Sequence, residues 1–209
     1  MALEGSFPQR EYSVAWDADA ANQLVVDLFR ENNAPDFTMF YVDYSQEPIG
    51  ELGQAADVVG RQQMLEMVGG NPDRLWPVLC SLDMRTADKA FREWWNSPFR
   101  TRGAHFNEES MFGVVAEAMW DMGIKAPDDL FVVVSTSCES SFNAPGEIIV
   151  IPGDVERYVR AGWELLRELI TTGQAKEPVV RLKPGQIVMR HPKDKTGATS
   201  RLFEGGECV

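Results

Sequence analysis

The 209-residue chain is expected to fold as α+β, a helix-rich N-terminal two-thirds packed on a mixed or antiparallel sheet, with a C-terminal β-hairpin. Three observations point there. Apolar residues recur at helical spacing through most of the first 125 residues. Two uninterrupted apolar runs, 129–136 and 146–153, lie beyond that point and have the character of central strands. Strands and helices do not alternate regularly, which disfavours a doubly wound parallel sheet.

In order, residues 1–16 form an irregular lead with a short strand at "EYSVAW". Asp17 or Asp19 caps a helix to about Asn32, with Leu24, Val25, Leu28 and Phe29 on one face. "FTMFYVDY" (37–44), β-branched and aromatic, is a strand. A helix from about Leu52 to Val68 stops at Gly69-Gly70, where a left-handed cap fits. Asn71-Pro72 has the form of a helix start, and Leu75, Trp76, Leu79 and Leu82 then share a helical face; Pro77 is tolerable only in the first turns. Thr86 opens a helix burying Ala90, Phe91, Trp94 and Trp95, and residues 97–106 follow as a basic loop.

Asn107 caps a helix that runs to Met122, with Met111, Val114, Val115, Ala118 and Met122 on one side and Gly123 as its stop. After the strands "DLFVVVST" and "GEIIVIPG", Asp154 caps a helix over 155–172 that ends at Gly173. Its residues Val155, Tyr158, Val159, Trp163, Leu166, Leu169 and Ile170 are expected to face the core. The segment "PVVRLKPGQIVMRHPKDKTGATSRLF" is expected to form a hairpin, with Pro184-Gly185 at the centre of a type II turn. Residues 1–175 make a single α+β domain, and 176–209 a hairpin arm or an extension of the same sheet.

Six Trp and eleven Phe provide enough large apolar area for one core without disulfide or metal. No apolar run reaches the roughly 18 residues of a membrane span, and the first residues lack a secretory pattern. Cys80, Cys138 and Cys208 are too scattered for a disulfide framework, so free thiols in a reducing setting are expected, in the cytoplasm or a virion. The net charge is −12, and it is uneven: residues 1–79 carry −9 and 106–173 carry −8, against +2 for 80–105 and +3 for 174–209. Such a balance argues against general nucleic-acid binding and against docking on anionic lipid.

The motif "STSCESS" after the apolar run raises the question of a nucleophile at Cys138. A reactive thiolate needs a nearby base or a helix N-terminus, and the two histidines are His105 and His191. A Cys138–His105 pair is the weak catalytic candidate. Glu139 next to it raises the thiol pKa, and the polar residues that follow have the composition of a turn. No G-x-S-x-G elbow, P-loop, dinucleotide fingerprint or zinc spacing occurs, and neither cofactor nor metal is implied.

With catalytic groups so sparse, the reading from sequence is a non-enzymatic interaction or assembly protein: a subunit of a larger particle, a viral structural component or an adaptor. Its acidic body would meet a protein partner or a second copy through the basic hairpin, by way of Arg181, Lys183, Arg190, Lys193, Lys195 and Arg201. Two alternatives stay open: a thiol-dependent hydrolase or transferase using Cys138 and His105, and an acidic inhibitor or anti-defence protein that mimics nucleic acid.

Overall fold

In the computed structural model, which describes residues 12–43, 50–79, 85–136, 143–185 and 187–190, five strands run parallel in one sheet. The elements in chain order are β1 (Ser13–Trp16), α1 (Ala18–Glu31), β2 (Phe37–Asp43), α2 (Gly50–Met67), β3 (Leu75–Leu79), α3 (Arg85–Trp95), β4 (Gly103–Phe106), α4 (Glu109–Met122), β5 (Phe131–Thr136), β6 (Glu147–Pro152), α5 (Val155–Thr172), β7 (Val179–Leu182) and β8 (Ile187–Arg190). The main sheet has the order β3-β2-β4-β5-β6-β8, and only β8 is antiparallel, at the edge beside β6. A separate two-stranded parallel sheet pairs β1 with β7.

This is an α/β fold with a parallel sheet, so the α+β expectation is overturned. Two strands hidden from local signals are responsible. The Asn71-Pro72 start serves only a single 3-10 turn, in which Asn71 Oδ1 accepts from the amide of Asp73 at 3.0 Å, and Leu75–Leu79 is then extended. A dense apolar run fits either period, and the tertiary contacts decided it. Pro77 is tolerated because β3 is an edge strand paired only with β2. The stretch expected as a basic loop contains β4, four buried residues between β2 and β5. Gly103 opens it because a Cβ there would lie 2.6 Å from the Phe29 ring and 2.9 Å from Phe37 Cβ. With β3 and β4 in place, strands and helices alternate from β2 to β5, and parallel pairing through helical crossovers follows.

Side-chain alternation splits the core in two. Phe40, Val42, Ala104, Phe106, Val132, Val134, Ile148 and Val150 point to the face covered by α3 and α4, where Phe91, Trp94, Phe112, Val115 and Met119 fill the space. Met39, Val133, Ile149 and Ile151 point to the opposite face, covered by Val25, Leu28 and Phe29 of α1 and by the end of α2. The Phe29 and Phe37 rings stack at 4.1 Å, and Phe131 meets Phe29 edge-on. At the amino ends of β2 and β4, the Trp94 indole N–H donates to Thr38 Oγ1 (3.0 Å). Thr101, 3.0 Å from the Thr38 hydroxyl, donates to the Gly103 carbonyl at 2.7 Å. This buried relay is structural and leaves the carboxyl ends of the strands for other work.

The helix caps follow the sequence except at α4, where Glu108 and not Asn107 is the N-cap and no side chain caps the helix. Asp17 and Asp154 accept from the amides of Ala20 and Arg157, and Gly69, Gly70, Gly123 and Gly173 are left-handed at the ends of α2, α4 and α5. Two expectations do not survive. Residues 179–190 are not a hairpin: β7 joins β1 (Ser13 opposite Val179) while β8 joins β6 (Ile148 opposite Met189), so Pro184-Gly185 links strands of different sheets. The stripe of α5 expected in the core is also largely outside it. α5 rests on β1 through Tyr158, whose hydroxyl donates to the Val14 carbonyl at 2.9 Å; Leu165 is buried, and Val155, Val159, Trp163, Leu166 and Ile170 are exposed.

Candidate functional site

The connectivity creates one crevice by topology. From β2 the chain crosses to β3 on one side and then to β4 on the other, so the segments leaving the carboxyl ends of β2 and β4 diverge. In open α/β sheets that switch point is where ligands bind. Asp43 ends β2 here, and Asn107 is the first residue beyond β4.

The register places the polar groups. Met39 lies opposite His105 and His105 opposite Val133, so the next inward-facing row up the sheet comprises Tyr41, Asn107 and Ser135. α2 supplies Arg61, whose Nη2 donates to Asp43 Oδ1 at 2.7 Å and whose guanidinium lies 5.7 Å from the centre of the Tyr41 ring. Asp43 is only 15% exposed and Arg61 34%, so the pair is sheltered without being sealed off. Asn107 donates its backbone N–H to the Phe40 carbonyl at 3.3 Å, while its side-chain Oδ1 is buried with no hydrogen-bond partner among the described residues. A buried carbonyl oxygen without a donor is costly and rare.

Beneath this row, His105 is 3% exposed. Its Nε2 is 2.9 Å from Ser135 Oγ, and Nδ1 is buried without a partner among the described residues. Nε2–H donating to the serine leaves Nδ1 as a bare acceptor, which costs less than burying an orphan N–H. Desolvation pushes the imidazole pKa down to about 3, so the ring is neutral at ordinary pH. His105 is thus an interior polar contact of β4. Cys138 comes two residues after the end of β5 and lies outside the described residues.

The basic residues expected to act together are dispersed. Arg181 is exposed on β7 opposite Ala15, and Lys183 is exposed just after it, its carbonyl accepting from Arg157 Nη1 at 2.8 Å. Arg190 ends β8 opposite Glu147, and Lys193, Lys195 and Arg201 lie outside the described residues. The residues that do converge, Tyr41, Asp43, Arg61 and Asn107, come from three elements. Only the acid ending the strand "FTMFYVD" carried a local hint, and among 32 acidic residues it did not stand out. An open hollow of about 550 Å³ between α5 and β7, lined by Glu164, Leu165, Glu168, Lys176 and Val180, lies on the small sheet. It is shallow, the charged side chains around it are solvated, and it lacks the sheltered, convergent polar groups of the switch point. The switch point is the better site.

A parallel sheet of this order, with helices on both faces and polar side chains gathered at its switch point, makes this an open α/β fold. No protein-family model and no curated protein matches the sequence. Solved structures do match the fold. A LacI family transcription regulator from Clostridium acetobutylicum superposes with a TM-score of 0.66 at 13% identity, over 84% of this chain and 64% of that one. A LacI family regulator from Arthrobacter sp. FB24, in complex with lactose, gives 0.64 at 17% identity over 88% of this chain and 68% of that chain. One from Enterococcus faecium, with bound ribose, gives 0.61 at 13% identity over 94% and 68%. The chain spans about two-thirds of the length of these proteins.

The likeness is one of fold, and it overturns the assembly-protein reading together with the thiol-hydrolase and nucleic-acid-mimic alternatives. Those rested on elimination and charge layout, whereas the observed architecture is one that holds a sugar in several of the compared proteins. Among the described residues, no helix is long and apolar enough to cross a membrane.

Proposed function

We propose that this chain is a regulatory ligand-binding lobe that takes a small polyhydroxylated molecule, a sugar, at the carboxyl ends of β2 and β4. The observation that carries this reading is the buried Oδ1 of Asn107, without a partner among the described residues, at the same carboxyl end of the sheet as the Asp43–Arg61 pair. A carboxylate accepts two hydroxyl protons, a guanidinium donates to hydroxyl oxygens in a fixed plane, and a carboxamide does both. Tyr41 adds an aromatic wall, and its hydroxyl is a further polar handle. The sugars bound in the compared structures, lactose, ribose and cellobiose, indicate the ligand class. A regulatory lobe of this kind would work inside the cell.

The test is isothermal titration of the full chain with ribose, lactose and cellobiose. Saturable binding of at least one is expected, weakened more than tenfold by Asn107→Leu and by Asp43→Asn while the circular dichroism spectrum is unchanged. Absence of binding to all three, or equal binding by both variants, refutes the proposal.

A further inference from the structure

The exposed stripe of α5 fits a second copy of itself. Val155, Val159, Trp163, Leu166 and Ile170 are between 47% and 75% exposed, and they follow one another at the four- and three-residue steps that form a single helical face. α5 is held to the rest of the chain by a different face, through Leu165, Tyr158 and the Trp16–Tyr158 ring contact at 6.0 Å. The stripe therefore points away from the body that carries it. Scattered apolar residues on a surface need no explanation, but a continuous row of five does.

The row is self-complementary when reversed. Turning an antiparallel copy about the midpoint between Gly162 and Trp163 sets Val155 against Ile170, Val159 against Leu166 and Trp163 against Gly162. Gly162 has open space where a Cβ would be, so the partner's indole can lie on the backbone there. A glycine in the middle of an 18-residue helix is disfavoured on its own account, and close approach of another element is a reason to keep it.

The charges agree. Glu156 and Arg160 form an ion pair at 2.7 Å along one edge of the stripe, and Arg167, on the same edge, has no ion pair among the described residues. In the reversed pairing Arg167 of each helix falls within about 3 Å, along the axis, of the level of Glu156 on the other, given about 1.5 Å of rise per residue. A two-fold axis makes every such contact twice. The five side chains offer on the order of 500 Å² per copy, or about 1,000 Å² for the pair, the lower bound of a biological interface, to which the flanking polar residues of the helix add. We infer that the protein is a homodimer in solution, held by antiparallel packing of α5 on α5 across a two-fold axis at Gly162–Trp163.

Sedimentation of the full chain between 1 and 100 µM tests this. The expected mass is twice the 23.4 kDa of one chain. Trp163→Ser and Val159→Glu are expected to raise the dissociation constant at least a hundredfold with thermal melts of the monomer unchanged, since both positions are exposed in the single chain. Oxidative cross-linking fixes the geometry. Gly162→Cys is expected to form a 162–162 disulfide, identified by peptide mass, whereas Val155→Cys is not, because the two Val155 positions lie roughly 22 Å apart along the helices. A monomer at 100 µM, a dimer indifferent to both stripe variants, or a 155–155 disulfide in preference to 162–162 overturns the inference.

Discussion

His105 sets a pH dependence that can be worked out in advance. Its imidazole is buried at 3% exposure and desolvated, with a pKa lowered from 6.5 to about 3. The unfolded chain therefore binds a proton at this residue below pH 6.5 while the folded chain does not bind one until about pH 3. Because the unfolded state holds more protons in that window, stability increases with pH across it and is lost as the pH falls. The limiting slope is about 1.4 kcal/mol per pH unit, and integrating from pH 7.5 to pH 5 gives a loss of about 2 kcal/mol from this one group. Only two histidines are present, and most carboxylates titrate lower, so the window is nearly free of other contributions. The assay is urea denaturation at pH 7.5, 6.5, 5.5 and 5.0 for the wild type and for His105→Leu, which removes the proton site at similar volume. The wild type is expected to lose about 2 kcal/mol more than the variant over this range, whatever the variant's absolute stability. Parallel pH profiles would refute the burial argument and place a protonatable ring in contact with solvent.

Two glycines should respond in opposite directions. Gly146 has φ +126° and a Cβ there would stand 1.8 Å from the Ala126 carbonyl oxygen, so Gly146→Ala is expected to cost about 3 kcal/mol or more in chemical denaturation. Gly113 is exposed on α4 with nothing near, and Gly113→Ala is expected to stabilise by roughly 0.5–1 kcal/mol. Trp94→Phe strips the donor from buried Thr38; a double-mutant cycle with Thr38→Val is expected to show a coupling of about 1 kcal/mol, and additive losses would mean the hydrogen bond contributes nothing net. At the crevice, Asn107→Asp keeps the acceptor and is expected to retain more sugar affinity than Asn107→Leu when the two are titrated side by side.

What could be read from the sequence was what local chemistry dictates. Asp17 and Asp154 cap their helices, Gly123 and Gly173 end theirs, and the apolar runs around Val132 and Ile149 are central strands, because a cap or a buried run is set by residues a few positions apart. β3 and β4 were not legible. Leu75–Leu79 carries a helix-start signal before it and a proline within it, and Gly103–Phe106 is four residues with no alternation to detect. Each is a strand because its neighbours offer backbone donors and acceptors at the right spacing, and that information is distributed over other parts of the chain. Missing them hid the βα alternation and with it the fold class. The acidic strand end at Asp43, the helix residue Arg61 and the strand-following Asn107 are separated by 18 and 46 positions, and nothing in their local sequence says they meet.

By itself, then, the sequence determined where most helices and the strands β5 and β6 lie, since those limits answer to capping groups, glycine conformations and the length of apolar runs. Only the tertiary structure decided the strand order, the parallel register that gathers Tyr41, Asp43, Arg61 and Asn107 at one switch point, and the separation of Val179–Leu182 from Ile187–Arg190 into different sheets. It also decided which side of α5 is covered: the helix carries apolar residues around more than one face, and its periodicity says that a face is apolar without saying what lies against it. Strand pairing and helix docking depend on which surfaces remain unsatisfied once distant elements have packed, a property of the assembled chain that no local window contains.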